Sequence, residues 1–301
     1  MPSATSAPAR RGALRHVDRA ATLRAVGLVT RGEVIALNLP LDGPTLGRPG
    51  LTHTARMHNQ TRPISGGRFN VVNDDVISIA LQSHSHWDAL AHWGVIEPDG
   101  TGAVYVDGIG LADTFPEFGA KTLGIDTLAG GIVTRAVLLD MVDLLEGPDA
   151  AFLADGRNFG RAEVERALAR HKLALHPGDA VLFYTGFQAR LAANPDAWVF
   201  QGPHYNPIAP GLLADSLPLW GDAKTFALVS DNPAVEPMPM GEGPLHAGAM
   251  KGLGIYLAEL WALDDLVAFC RRENIWEFAL ASVPLNIKGA FGSPANAVAI
   301  L

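Results

Sequence analysis

Six short apolar runs, each bounded by turn residues, constrain most strongly what this chain can fold into. Residues 34–37, 76–81, 132–139, 180–184, 226–229 and 278–283 are apolar, often β-branched, and four to eight residues long. That is the signature of strands, not of helices. Between them, residues 161–172 place Val164, Ala167, Leu168 and His171 on one helical face. Residues 265–273 do the same with Leu266, Val267 and Cys270, and Asp264 stands where an N-cap is expected. Pro177-Gly178-Asp179 is turn chemistry between a helix and a strand. Strands alternating with helices predict a mixed α/β fold. No repeat, low-complexity tract or linker divides the chain, so residues 26–301 read as one domain and residues 1–25 as a flexible arm, suited to packing on a partner subunit. The 32 glycines and 21 prolines imply many long loops, which is where sites usually sit.

Composition narrows the function classes. With 48% hydrophobic and 18% charged residues, the chain can close a sizeable core and is not disordered. A formal net charge of -8, with no cluster of lysines and arginines, gives nucleic-acid phosphates little to bind. The single cysteine, Cys270, excludes an internal disulfide framework and fits a reducing cytoplasm. The arginines of the N-terminus are followed by no apolar stretch, so no secretory signal is expected. The most apolar run, around residues 136–145, is interrupted by Asp140 and Asp143 and is too short to span a bilayer.

The chemistry concentrates in Gln82-Ser83-His84-Ser85-His86-Trp87-Asp88-Ala89-Leu90-Ala91-His92, directly after the run 76–81. In an extended chain alternate residues share a face, which would project Gln82, His84, His86 and Asp88 together. Imidazole nitrogens and a carboxylate that converge in this way suit zinc or manganese. His92 returns to the same spot if the chain turns helically after Asp88. Three histidines and an aspartate within nine positions are unusual in a chain with ten histidines. A lone histidine is more often hydrogen-bonded to backbone. His246 and Glu259 are the downstream candidates to complete such a centre. His16, His171 and His176 read as surface residues, and His53, His58 and His204 as candidates to line a cleft.

The run from Gln82 to His92 resembles the metal-binding signature of the bacterial cyclase family, which includes kynurenine formamidase and isatin hydrolase: His-x-Gly-Thr-His-x-Asp-x-Pro-x-His. Gln82 stands at the first histidine, His84 at the glycine, Ser85 at the threonine, His86 at the second histidine, Asp88 at the aspartate, Leu90 at the proline and His92 at the last histidine. The resemblance extends to residues 132–140, to Pro177-Gly178-Asp179 with Thr185-Gly186, to Leu245-His246 with Glu259, and to Pro284-Leu285 with Gly292-Ser293-Pro294. It implies a central β-sheet or barrel-like core with flanking helices, and a homodimer or homotetramer. It also implies that His86, Asp88, His246 and Glu259 ligate a divalent ion, Mn2+ or Zn2+, and that His92 moves the proton. Gln82 or His84 is the further candidate ligand.

The expected activity is hydrolysis of an amide, a lactam or a lactone in a small aromatic or cyclic substrate. A divalent ion lowers the pKa of a water to about 7, and an adjacent imidazole relays its proton to the leaving atom. Trp87 and Trp93 are candidates for the aromatic wall of a flat substrate pocket, although core packing also accounts for either, for Trp93 slightly more readily. No Gly-x-Ser-x-Gly elbow and no phosphate-binding glycine loop compete. The alternatives are a cyclase or lyase acting on a polyketide-type substrate at the same centre, and a non-catalytic metal-binding protein.

Overall fold

The computed structural model of the protein describes residues 12–43, 45, 47–100, 102–194, 208–241 and 243–301. In chain order the strands are β1 (Val34–Ala36), β2 (Thr52–Pro63), β3 (Phe69–Ser78), β4 (His86–Asp88), β5 (Thr114–Phe115), β6 (Gly119–Ala120) and β7 (Ile132–Asp140). They continue as β8 (Ala180–Tyr184), β9 (Ala227–Ser230), β10 (Tyr256–Glu259), β11 (Glu277–Ser282), β12 (Gly292–Pro294) and β13 (Ala297–Ile300). The α-helices are α1 (Arg19–Val26), α2 (Met141–Leu145), α3 (Arg161–Arg170), α4 (Phe187–Ala193), α5 (Leu217–Ala223) and α6 (Asp264–Glu273).

Nine strands join in one mixed sheet, ordered β1-β13-β11-β7-β8-β9-β10-β4-β12. Its middle, β7 to β10, is parallel, and antiparallel strands flank it on both sides. The expected mixed α/β architecture with a central sheet is present, and among the described residues β1 and β12 are its two edges. Parallel strands must be covered on both faces, and β8, β9 and β10 are buried along their whole length. Of the six apolar runs, 180–184 coincides with β8, and 34–37, 132–139, 226–229 and 278–283 fall within a residue of β1, β7, β9 and β11.

Three expectations need correction. The run 76–81 is the end of β3, which pairs only with β2 in an exposed ribbon, and the chain turns at Leu81–Ser85 before β4 begins. The segment 12–25 is not a free arm. Gly12–His16 forms a 3-10 helix whose Ala13 and Leu14 are buried, and Ala13 N donates to Gly254 O at 2.7 Å. Asp18 then caps α1, and Thr22 Oγ1 donates to Val133 O at 2.9 Å. Alanines at 13, 21 and 25, all buried, let this backbone lie directly on its neighbours. Finally, Asp264 is the first residue of α6 and not its cap; its carboxylate accepts from the Tyr184 hydroxyl at 3.0 Å instead.

The expected helical faces are confirmed. Val164, Ala167 and Leu168 of α3 are buried, as are Leu266, Val267 and Cys270 of α6. Gly160 N donates to the Glu163 carboxylate at 2.9 Å, which satisfies one otherwise unpaired N–H at the start of α3. Among the described residues no helix is long and apolar enough to cross a membrane.

Candidate functional site

Backbone register brings the ligand candidates together. β4 lies between β10 and β12, with Glu259 opposite His86 and Gly292 opposite Asp88. Directly opposed residues of an antiparallel pair point to the same face, and His86 and Asp88, two apart, share it as well. The result is a wholly buried triad. One ligand atom from each of His86, Asp88 and Glu259 lies within 4.8 Å of the others. His86 Nε2 is 3.4 Å from Glu259 Oε2 and 3.6 Å from Asp88 Oδ1. The His84 carbonyl accepts from His86 Nδ1 at 2.7 Å, so Nε2 is left to face the triad.

The sequence named all three, and His246 with them, as candidate ligands; the structure brings His246 beside the triad and adds a further acid. His246 precedes the π-helical segment Ala247–Leu253, and its Nε2 is 3.2 Å from the second oxygen of Glu259. Its Nδ1 hydrogen-bonds Glu236, a buried carboxylate that also accepts from the backbone N–H groups of Leu245 and His246. Glu236 was not singled out from the sequence. It is an ordinary glutamate in a loop, and no spacing ties it to His246. Burial opposes charge on both histidines, but the carboxylates outweigh it: Asp88 and Glu259 raise the pKa of His86, and Glu236 and Glu259 push His246 up to about 10. Burial would raise Glu259, yet the two imidazoles hold it well below the usual carboxylate range.

The donor set fits a divalent cation. His86 Nε2 and both oxygens of Asp88 are buried and make no hydrogen bond among the described residues. Buried polar atoms are rarely left unpaired, because each costs about 1–3 kcal/mol. Two nearby carboxylates make a cation the natural partner, and mixed imidazole and carboxylate donors are those that zinc and manganese accept.

His92 stands at the rim. The chain turns after Asp88, with His92 N donating to Ala89 O at 2.8 Å, and this returns the imidazole to 3.7 Å from Asp88 Oδ1. A quarter of its side chain is exposed, whereas the triad is closed to solvent. Beside it the Trp93 ring packs on His246 with centroids 4.9 Å apart.

Two expected placements fail. His84 is not aimed at the triad, because the turn at Leu81–Ser85 breaks the extended register; its ring contacts Ser83 Oγ at 2.8 Å and Gly43 O at 3.1 Å. Trp87 alternates to the opposite face of β4. It is fully buried against Trp261 and Phe226 and donates to Ser282 Oγ at 2.9 Å, so it is core and not a substrate wall. His53 and His58 do line a shallow cleft, of about 420 Å³, but it lies on the exposed β2–β3 ribbon with Asp74 and Asp75, and His204 falls outside the described residues. Gln82, by contrast, reaches the face of the triad by another route. A Cβ on Gly292 would lie only 2.5 Å from Gln82 Nε2, so the amide occupies the space beside Asp88 that a side chain at 292 would fill.

Fold and site together define an α/β protein with a candidate metal centre where β4 meets the carboxyl end of a parallel strand. The chain belongs to the cyclase family: the family model described as a putative cyclase matches residues 21–237. That span includes Gln82 to His92 and ends before His246 and Glu259. A solved structure described as a novel cyclase is 28% identical, covering 97% of this chain and 94% of its own, with a TM-score of 0.82. Isatin hydrolase A from Labrenzia aggregata, bound to benzyl benzoate, is 17% identical with a TM-score of 0.58, covering 89% and 93%. Isatin hydrolase A from Ralstonia solanacearum is 18% identical with a TM-score of 0.58, covering 98% and 99%. At that identity the likeness is one of fold. No curated protein matches the chain.

Proposed function

We propose that this chain is a metal-dependent hydrolase that cleaves an amide, lactam or lactone bond in a small cyclic or aromatic substrate. The observation that carries the reading is the buried triad whose His86 Nε2 and Asp88 oxygens have no hydrogen-bond partner among the described residues, with a solvent-reachable imidazole at its rim. His86, Asp88 and Glu259 would hold the ion, manganese or zinc, with His246 on the second Glu259 oxygen. When bound, such an ion lowers the pKa of a water and polarises a carbonyl.

The remaining work falls to this chain's own groups. His92 takes a proton from the attacking water and returns it to the departing nitrogen or oxygen. Glu236 fixes the His246 ring through Nδ1, so that Nε2 points at Glu259, the usual way a carboxylate orients a ligating histidine. Trp93, partly buried on His246, gives the rim an apolar wall. Dialysis against a chelator should abolish turnover of a panel of cyclic imides, isatins, formamides and lactones, and manganese or zinc should restore it. Full activity in rigorously metal-free protein would overturn the reading.

The same proposal includes assembly into a homodimer or homotetramer. The β2–β3 ribbon supports it: it is exposed on both faces, with Phe69, Val71, Val76 and Ile77 open to solvent. A lone two-stranded ribbon is marginally stable in water, and a second copy of the chain would cover it.

A further inference from the structure

Leu260, the residue after Glu259, holds a backbone conformation that a leucine seldom adopts, with φ at 57°. A bulky residue in the left-handed region is strained, and it persists only where its surroundings fix it. Here the strain lies beside a candidate ligand, at the corner where β10 ends. The ladder between β4 and β10 has only two rungs, Trp87 with Ala258 and His86 with Glu259. The rung that carries two of the ligands is therefore the last one. A side chain extends it. Ser85, buried at the end of the turn before β4, donates from Oγ to Leu260 O at 2.5 Å and accepts from Leu39 N at 2.8 Å. Leu260 N donates in the other direction, to Asn232 O at 3.0 Å, and Trp261 Nε1 donates to His86 O at 3.2 Å.

We propose that Ser85 is a positioning residue of the metal centre: its hydroxyl locks Leu260 in the left-handed conformation and so keeps the Glu259 carboxylate aimed between His86 and His246. The proposal rests on the metal-dependent reading above and adds to it the device that holds the centre in shape. Glu259 presents one oxygen to His86 Nε2 at 3.4 Å and the other to His246 Nε2 at 3.2 Å. A rotation of the backbone at residues 259–260 would move both contacts at once. Without the hydroxyl, Leu260 O and Leu39 N lose a partner, and the strain at Leu260 is released by swinging the end of β10 away from β4. An ion is held tightly only when its ligands are already in place, so groups that orient ligands matter nearly as much as the ligands themselves. Both hydrogen bonds of the Ser85 hydroxyl go to backbone, so its influence on the ion passes through Leu260.

Competition against a chelating dye measures ion affinity without turnover, with manganese or, if the parent takes only that ion, zinc. Denaturant melts of the metal-free protein measure stability alongside. Ser85→Ala should weaken ion binding about 10–100-fold, the usual effect of losing a group that orients a ligand. Ser85→Thr keeps the hydroxyl and should bind the ion like the parent. Ser216 is the control for a purely structural serine: it too is buried, donates to Leu213 O at 2.7 Å and accepts from Trp220 Nε1 at 2.9 Å. Ser216→Ala should lose stability as Ser85→Ala does and leave ion affinity unchanged. If Ser85→Ala does not fold, Ser85→Cys, which offers only a weak donor, takes its place and should also bind the ion more weakly than the parent. Parental affinity in whichever of these two variants folds would overturn the proposal. Equal losses of affinity in Ser85→Thr and Ser85→Ala, or in Ser216→Ala and Ser85→Ala, would overturn it as well. A parent that binds neither manganese nor zinc would instead remove the metal centre itself, and the hydrolase reading with it.

Discussion

His92 and Asp88 are four residues apart and meet at 3.7 Å because the chain turns back on itself after β4. If His92 moves the proton and does not hold the ion, His92→Ala should leave metal occupancy intact and lower turnover by about 10²–10⁴-fold. Loss of the ion in that variant would instead make His92 a ligand. Asp231 offers a test of stability. It accepts from Thr185 N, Thr185 Oγ1 and Phe187 N, and burial nonetheless pushes its pKa up to about 6 from an ordinary 3.8. The folded state therefore holds this proton more tightly than the unfolded chain does. The stabilisation it brings is complete below pH about 4 and is lost as pH rises through about 6. A carboxamide cannot titrate, so the stability of the parent relative to Asp231→Asn, measured by denaturant melts, should fall across that window. At neutral pH the variant should still be less stable by about 1–3 kcal/mol, because an amide NH2 meets a backbone donor. At this scale His86, Asp88 and His92 were legible because their types and spacing suit one chemistry. Glu236 was not, since nothing local distinguishes a buried glutamate from an exposed one.

β4 is only three residues long, and that brevity explains where reading the sequence as elements went wrong. An extended run from Gln82 to Asp88 would have placed four polar residues on one face. The turn at Leu81–Ser85 removes His84 from that face and brings Gln82 back to it through space. Of the parallel strands, β7, β8 and β9 were readable nearly to the residue, because strands buried on both faces are largely apolar and need no periodicity to be recognised, while the short β10, which ends on Glu259, was not among the runs read. His86→Ala should therefore strip the ion as measured by elemental analysis. His84→Ala should retain it and lose stability instead, since it breaks a buried contact to Ser83 and one to Gly43.

For the whole molecule, the pattern of strands and helices foretold a mixed α/β fold, but the strand order depends on pairings far apart in sequence, such as Val34 with Ile300, which no local pattern encodes. Residues 12–25 of the arm were misjudged for a related reason: Ala13, Ala21 and Ala25 bury little surface each, so nothing local marked them as core. Light scattering should give a dimer or tetramer at micromolar concentration, and a monomer there would remove the proposed role of the β2–β3 ribbon. Cys270 is fully buried on the inner face of α6, and burial pushes its thiol up to about 12. Reagents attack the thiolate and need access to it, so iodoacetamide should modify the native protein only during moments when α6 lifts from the sheet. With reclosing faster than alkylation, the labelling rate becomes a gauge of how often that helix detaches, read from one sulfur atom already in place.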